Sequence, residues 1–164
     1  MSDSRGCGRA FLAVGSNIQP RKNIAAALDL LSRPIEILAV STFYRTAPIG
    51  GGDQPAFLNG VWCVALPDHP ASLKTLCRDV EHLLGRRRTT DRYAPRPIDL
   101  DVVYRDDEGD VSDPDLRRPF VCVPLLEIAP DLAEGPIGEF ARRAGDPGEI
   151  DEELTRTLRA MLDQ

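Results

Sequence analysis

The sequence predicts an α+β fold in which helices pack on a mainly antiparallel sheet. Short apolar segments of strand character alternate with segments of helical periodicity, in the order β-α-β-β-α-β-α-α. A glycine-rich loop, residues 50–55, joins two of the extended segments, which favours an antiparallel pair. This order contains the split β-α-β pattern of a ferredoxin-like sandwich. The 164 residues contain no internal repeat or low-complexity linker, so we expect one domain, residues 1–164.

Four segments have the apolar content and the turn-forming boundaries of strands. Gly15 ends the first, the glycine-rich loop separates the second from the third, and an acidic turn, residues 106–110, follows the fourth. The predicted strands are residues 9–15, 35–46, 57–66 and 97–105.

Three segments space their apolar residues three and four apart, as a helix with one buried face requires. Pro34 follows the first of these segments and Gly85 ends the second, and both residue types are common at helix ends. A further apolar segment, residues 120–130, is expected to begin extended and to become helical near Pro124. The predicted helices are residues 23–33, 70–85 and 149–163.

Composition and charge argue against several classes of protein. The net charge of −6 is unfavourable for general nucleic-acid binding, which needs a basic surface. No apolar run approaches the ~20 residues of a membrane span, and the N-terminal segment lacks the apolar core of a signal peptide. The four cysteines form no C-x-x-C pair, so we expect buried free thiols rather than a zinc site. We therefore expect a cytoplasmic protein with neither a membrane nor a nucleic-acid partner.

The segment PRPIDLDVVY, residues 95–104, places two acids in an otherwise apolar strand. Residues i and i+2 of a strand point to the same face, so Asp99 and Asp101 project together, about 7 Å apart along the strand. Two carboxylates this close repel each other unless a cation lies beside them. Mg²⁺ fits this position because it prefers oxygen ligands and commonly takes one or two carboxylates. The alternative is a solvent-facing strand with two ordinary acids.

An arginine-rich segment, residues 85–96, leads into the acidic pair. It contains five arginines and one acid, a local charge of +4 in a protein of net charge −6. The preference of arginine for helix C-termini explains only part of this set, whereas arginine is well suited to multidentate phosphate recognition. Arginines beside carboxylates that can hold Mg²⁺ predict a site for a nucleoside triphosphate. The sequence has neither a Walker A loop nor the H-R-D and D-F-G motifs of protein kinases.

Four longer segments follow one another along the chain in a recognisable order. They are FLAVGSNIQPRKNIAAAL, STFYRTAPIGGGDQPAFLNGVW, VEHLLGRRRTTDRYAPRPIDLDVVY and RPFVCVPLLEIAPDL. On these motifs, residues 10–131 resemble the 6-hydroxymethyl-7,8-dihydropterin pyrophosphokinase family. The resemblance implies transfer of pyrophosphate from ATP to the hydroxymethyl group of the pterin in folate biosynthesis, with AMP as the second product. It also implies a monomer that uses a pair of Mg²⁺ ions.

The resemblance assigns roles to residues around ATP. Asp99 and Asp101 would hold both Mg²⁺ ions between the phosphates, and Asp101 is also the candidate base for the acceptor hydroxyl. Arg86, Arg96 and Arg118 would position the transferred and leaving groups. The implied catalytic residues are Arg86, Arg96, Asp99, Asp101 and Arg118. The implied contacts to ATP are Glu81, Arg86, Arg88, Tyr93, Arg96, Val102 and Arg118.

The resemblance also implies a pocket for the pterin. Asn59 would hydrogen-bond the edge of the pterin, because a side-chain amide offers both a donor and an acceptor. Phe57 and Phe120 would stack on the ring, and the alternative is that both are ordinary core residues. The implied pterin contacts are Thr46, Pro48, Ile49, Phe57, Asn59 and Phe120.

One segment departs from the family pattern. Relatives carry a P-H motif a few residues before the arginine that matches Arg118, whereas this chain reads GDVSDPDLRRPF at residues 109–120. A short stretch that includes the histidine is missing, or else Asp113 stands near the position of the histidine. Loss of one phosphate contact would slow turnover by about 10–100-fold rather than abolish it. The alternatives to the pyrophosphokinase are a non-catalytic relative that binds pterin or nucleotide, and an enzyme for a related pterin alcohol.

Overall fold

The computed structural model describes residues 8–48, 53–87, 90 and 94–164, and the strands and helices lie within these ranges. The strands are β1 (Arg9–Ser16), β2 (Ile37–Val40), β3 (Tyr44–Thr46), β4 (Phe57–Ala65), β5 (Asp99–Arg105) and β6 (Glu149–Ile150). The helices are α1 (Pro20–Leu31), α2 (Ser72–Leu83), α3 (Pro119–Ile128), α4 (Pro136–Arg143) and α5 (Glu152–Leu162). Two short 3₁₀ helices, Pro114–Arg117 and Pro130–Glu134, flank α3.

The strand pairs of the described residues are all antiparallel, in the order β5-β1-β4-β3-β6. β2 also pairs with β4, so β2 and β3 together occupy one position in the sheet. With these two strands counted as one, the succession β1-α1-β2/β3-β4-α2-β5 is the split β-α-β arrangement that the sequence predicts. The predicted α+β, ferredoxin-like class is confirmed.

Helices cover both faces of this sheet, and the alternation along β1 shows which helices lie on which face. Leu12 and Val14 are buried in a core that α1, α2 and α5 complete. Phe11 is buried on the opposite face, in a core that α3 and α4 complete. Since successive strand residues point to opposite faces, β1 contributes to both cores and forms the centre of the fold.

The segment predicted to begin extended is instead helical from its start, so that expectation was wrong. α3 begins at Pro119, directly after Arg118. Proline is favoured in the first helical turn, because the N–H that it lacks would have no partner inside the helix. Apolar residues of α3 then fill the core on their face of the sheet, with Cys122 and Leu125 fully buried.

The single strand predicted over residues 35–46 is divided into β2 and β3 by residues 41–43. At this interruption the N–H of Val61 donates to the hydroxyl of Ser41 at 2.8 Å, while the N–H of Ser41 donates to the carbonyl of Val61. α1 begins at Pro20, three residues earlier than predicted, and α4 was not predicted. The predicted C-terminal helix begins later, at Glu152, because Asp151 caps it by accepting from the N–H of Leu154.

The cysteines that the structure describes are Cys63, Cys77 and Cys122, and all three are buried free thiols, as expected. Burial raises the pKa of Cys77 to about 12, so its thiol stays protonated near neutral pH. Cys7 lies outside the described residues. Within the described ranges, no helix has the length and apolar character that crossing a membrane requires.

Candidate active site

A pocket of about 340 Å³ opens on the α3 side of the sheet, beside the first residues of α3. Ala13 and Gly15 of β1 contribute to its lining, and the methyl group of Ala13 and the absence of a side chain at Gly15 leave space over the sheet at this point. Charged side chains line one part of the pocket, namely Arg96, Asp99, Asp101, Asp115 and Arg118. Uncharged side chains that can contact a flat ring line another part, namely Thr46, Phe57, Asn59 and Phe120.

Strand register brings these two parts together. Gly15 pairs with Asn59 on one neighbouring strand and with Asp99 on the other, while Ala13 pairs with Asp101. Paired residues in antiparallel strands project to the same face, so Asp99 and Asp101 share a face, as the sequence predicts. Gly15 therefore lies between the amide of Asn59 and the carboxylate of Asp99.

Asp99 is the centre of an ion-pair cluster. Its two carboxylate oxygens accept hydrogen bonds from Arg86 Nη1 at 2.7 Å and from Arg96 Nη1 at 2.9 Å. The same Nη1 of Arg86 also donates to Glu81 Oε2 at 2.6 Å. Glu81 is buried, and its Oε2 also accepts from the N–H of Leu100 at 2.8 Å. Glu81 thus supports the site by holding Arg86 rather than by lining the pocket.

Asp101 differs from Asp99, because no side chain in the described residues forms a hydrogen bond or ion pair with it. Its side chain is accessible from the pocket, but the surrounding protein removes much of its water. This desolvation, together with the negative charges of Asp99, Glu81 and Asp115, raises the pKa of Asp101 to about 7, although Arg86 acts in the opposite direction. Asp101 is therefore the carboxylate of the pair that most needs a cation.

The described residues contain no group of three or more His, Cys, Asp or Glu side chains arranged to hold a metal ion. The two aspartates provide only hard oxygen ligands. Mg²⁺ commonly binds through one or two carboxylates and completes its shell with water and phosphate oxygens. The donor set therefore fits Mg²⁺ bound jointly by the protein and a polyphosphate, and it does not fit a metal held by protein ligands only.

The segment that departs from the family pattern places Asp115 rather than Asp113 in the pocket. Asp113 caps the 3₁₀ helix Pro114–Arg117 by accepting from the N–H of Asp115 at 2.9 Å. Asp115 accepts from Arg118 Nε at 2.8 Å, and both side chains line the pocket. The guanidinium of Arg117 lies instead over the ring of Phe140. Asp115 was not predicted from the sequence, although its spacing of three from Arg118 is a signal for such a pair.

The predicted pterin contacts are only partly brought together. Asn59 Nδ2 donates to Thr46 Oγ1 at 2.7 Å, which orients the amide, and Phe57 and Phe120 line the same pocket. Pro48 is described but does not line it.

Three of the predicted site residues, Ile49, Arg88 and Tyr93, lie outside the described residues. Val102, an expected ATP contact, does not line the pocket, because its side chain packs against the core on the other face of the sheet.

Asn17 has a role that sequence reasoning missed. Its side chain is buried, and Nδ2 donates to Gln54 Oε1 at 3.1 Å and to the carbonyl of Pro55 at 3.4 Å. Its Oδ1 accepts from the N–H of Arg96 at 2.8 Å, and its own N–H donates to the carbonyl of Arg96. Asn17 thus connects the segment before β4 with the segment that presents Arg96. The tight G-S-N turn was the available signal.

An α+β fold whose pocket joins carboxylates and arginines to uncharged side chains is typical of a phosphoryl-transfer enzyme. Comparison with known proteins gives the particular family. Residues 11–130 match the family described as 7,8-dihydro-6-hydroxymethylpterin-pyrophosphokinase (HPPK). The chain belongs to the HPPK family.

Three relatives illustrate the match. The 2-amino-4-hydroxy-6-hydroxymethyldihydropteridine pyrophosphokinase of Methylorubrum extorquens is 40% identical over 147 residues, which cover 83% of this chain and 90% of the relative. The enzyme of the same description from Pseudomonas aeruginosa is 37% identical, covering 76% of this chain and 82% of the relative. The folic acid synthesis protein fol1 of Schizosaccharomyces pombe is 40% identical, but over only 18% of its length.

These matches identify the protein as a pyrophosphokinase of folate biosynthesis. They give no support to the alternative of a non-catalytic binding relative.

Proposed function

We propose that this protein transfers pyrophosphate from MgATP to 6-hydroxymethyl-7,8-dihydropterin and releases AMP. The observation that carries the proposal is the register across Gly15, which places Asn59 on one side and Asp99 on the other. An amide and two phenylalanines that line the same pocket suit a flat heteroaromatic ring, and the carboxylates and arginines suit a magnesium polyphosphate. The reacting groups of both substrates would therefore meet within one pocket.

The proposed reaction is an in-line displacement. The hydroxymethyl oxygen of the pterin forms a bond with the β-phosphorus of ATP, and the bond between that phosphorus and the oxygen bridging to the α-phosphate breaks. The electron pair leaves with AMP. The hydroxyl proton passes to a carboxylate oxygen of Asp101, which has no hydrogen-bond partner among the described side chains.

Other roles in the proposed reaction fall to residues that would bind the metal ions, contact the triphosphate and orient the pterin. Asp99 and Asp101 would hold a pair of Mg²⁺ ions, which neutralise charge on the phosphate oxygens when bound. Arg96 and Arg118 would contact the triphosphate from the pocket wall, and Arg86 would act from beside Asp99. Asn59 and Phe120 would hold the pterin so that its hydroxymethyl group faces the phosphates, since orientation lowers the barrier of a two-substrate reaction.

The test is AMP formation from ATP, Mg²⁺ and 6-hydroxymethyl-7,8-dihydropterin, followed by chromatography. AMP is expected only when the acceptor and Mg²⁺ are both present. Competition between the proposed acceptor and related pterin alcohols distinguishes the remaining alternative, an enzyme with a different acceptor. No AMP with any pterin alcohol would refute the proposal and would favour a binding protein.

The same proposal includes the organisation of the protein. The protein would act as a monomer with one catalytic domain over residues 1–164, in the cytoplasm and without a nucleic-acid partner. Its net charge of −6 supports the last point. Size-exclusion chromatography with light scattering checks the monomer, and a stable dimer would contradict it.

A further inference from the structure

The segment before α3 forms a 3₁₀ turn that presents two charged side chains to the pocket. The 3₁₀ helix Pro114–Arg117 is capped by Asp113, and Leu116 is fully buried in the core beside α3. Residues three apart in a 3₁₀ helix lie above one another. Asp115 and Arg118 therefore lie on the same side of this turn, and both line the pocket.

The contact between these two side chains has a specific geometry. Asp115 Oδ1 accepts from Arg118 Nε at 2.8 Å. Within the described part of the chain, the guanidinium of Arg118 has no other hydrogen-bond partner, so both of its Nη groups remain available. Arg86 and Arg96 differ in this respect, because each donates Nη1 to Asp99.

The two available Nη groups are well suited to donate hydrogen bonds to phosphate oxygens. A guanidinium held through Nε keeps a fixed plane, and its two Nη donors form one edge of the fork that binds phosphate oxygens. Without a partner at Nε, the long arginine side chain would sample several rotamers and would lose entropy on binding. A carboxylate at Asp115 itself would repel phosphate, but Arg118 offsets its charge.

We propose that Asp115 is a positioning residue, which holds Arg118 by Nε so that both Nη groups of Arg118 face the phosphates of the nucleotide. This inference rests on the proposed phosphate contact of Arg118. Asp115 does not touch substrate. Of the two arginines in this segment, Arg117 lies over the ring of Phe140, so Arg118 is the one that Asp115 can orient toward the pocket.

The experiment compares four single variants and one double variant with the wild-type protein. Asp115→Ala removes the acceptor, whereas Asp115→Asn keeps an oxygen that can accept from Nε but removes the charge. Arg118→Ala tests the arginine itself. Glu139→Ala is the matched control, because Glu139 forms a similar i,i+3 ion pair with Arg142 on the exposed face of α4, with Nη2 and Oε2 2.6 Å apart.

The measurements are kcat and KM for both substrates, the melting temperature, and the calorimetric Kd of Mg²⁺ with α,β-methylene-ATP. Asp115→Ala is expected to lower kcat about tenfold, with KM for the pterin unchanged, and Asp115→Asn to recover most of the loss. The Kd of the analogue should weaken only a few-fold. The double variant Asp115→Ala/Arg118→Ala should be no slower than Arg118→Ala, since Asp115 acts only through Arg118.

The melting temperatures should stay close to that of the wild type, because half-exposed ion pairs contribute little to stability. Equal losses in Asp115→Asn and Asp115→Ala would overturn the inference in favour of a role for the charge. Faster turnover or tighter analogue binding in Asp115→Ala would show that Asp115 competes with phosphate for Arg118. A result like that of Glu139→Ala would show only a surface ion pair. Full activity of Arg118→Ala would instead refute the phosphate contact in the proposed function.

Discussion

Two aspartates of this protein each lie beside two arginines, but their surroundings differ. Asp151, at the start of α5, accepts from Arg21 Nη2 at 3.0 Å and from Arg45 Nη2 at 3.4 Å. Asp99, at the start of β5, accepts from Arg86 and Arg96 at similar distances. The difference lies in the groups around each cluster. The N–H of Leu154 also donates to Asp151, whereas Asp99 has beside it the carboxylate of Asp101, which has no cation partner among the described residues.

Several groups around Asp151 stabilise its charged carboxylate. Burial acts to raise its pKa, but the N–H of Leu154, the hydrogen bond from Arg21 and the charge of Arg45 outweigh burial and lower the pKa. Beside Asp99, in contrast, Asp101 has no cation partner among the described residues and its pKa rises to about 7. We therefore expect Asp101, whose charge is unbalanced in the pocket, rather than the ion-paired Asp151 to act in the proposed reaction.

Replacing Asp101 tests this contrast with the largest expected effect. Asp101→Asn should lower kcat by about 100-fold or more, since it removes the carboxylate proposed to hold Mg²⁺. The melting temperature of the protein without Mg²⁺ should not fall, because the variant removes a repulsion with Asp99. Steady-state kinetics and thermal unfolding measure both quantities. Wild-type kcat would show that the unbalanced carboxylate is not used in catalysis.

Replacing Asp151 should have the opposite profile. Asp151→Ala is expected to lower the free energy of unfolding by about 2–3 kcal/mol, because it removes a helix cap and charge-assisted hydrogen bonds. Asp151→Asn should lose less, since asparagine is also a good cap. Urea unfolding measures the change, and kcat of the folded variants should stay near the wild-type value. A variant that lost kcat but kept its free energy of unfolding would contradict the expectation that Asp151 serves stability rather than catalysis.

A smaller effect is expected from Gly15, which separates the two parts of the pocket. A Cβ atom at Gly15 would collide with Asn59 Oδ1, so Gly15→Ala should displace the amide. We expect KM for the pterin to rise about tenfold, with little change in Kd for α,β-methylene-ATP. Gly145→Ala is the control, because a Cβ atom there meets nothing within 4 Å. Equal changes for both substrates would argue against a specific effect on Asn59.

The smallest effect concerns pH. A carboxylate whose folded-state pKa is lowered contributes stability above its unfolded pKa, and this contribution is lost as the pH falls through the folded value. The difference in free energy of unfolding between the wild type and Asp151→Asn should therefore be complete above about pH 4 and should shrink in more acidic solution. Urea unfolding at several pH values measures this difference. A difference that grows on acidification would contradict the lowered pKa of Asp151.

Short-range sequence patterns were sufficient to predict the sheet and several of the helices, because each apolar pattern indicates which face of its own segment is buried. They failed at α3, whose V-C-V alternation resembles a strand although the segment is helical from Pro119. Helix and strand are hard to distinguish in a short, wholly apolar segment, since both can be buried on all sides. They also failed at Ser41, where the predicted strand is interrupted and the hydroxyl accepts from the N–H of Val61, 20 residues away.

The sequence by itself determined the fold class, the shared face of Asp99 and Asp101, and the motifs of the family, because these depend on the order and spacing of nearby residues. Only the tertiary structure decided which aspartate has arginine partners, that Asp115 lies in the pocket in place of Asp113, and that Asn17 joins two segments. These properties depend on contacts between residues that are distant in sequence, such as Asn17 and Arg96, 79 positions apart. Register and packing create such contacts, and local periodicity carries no information about them.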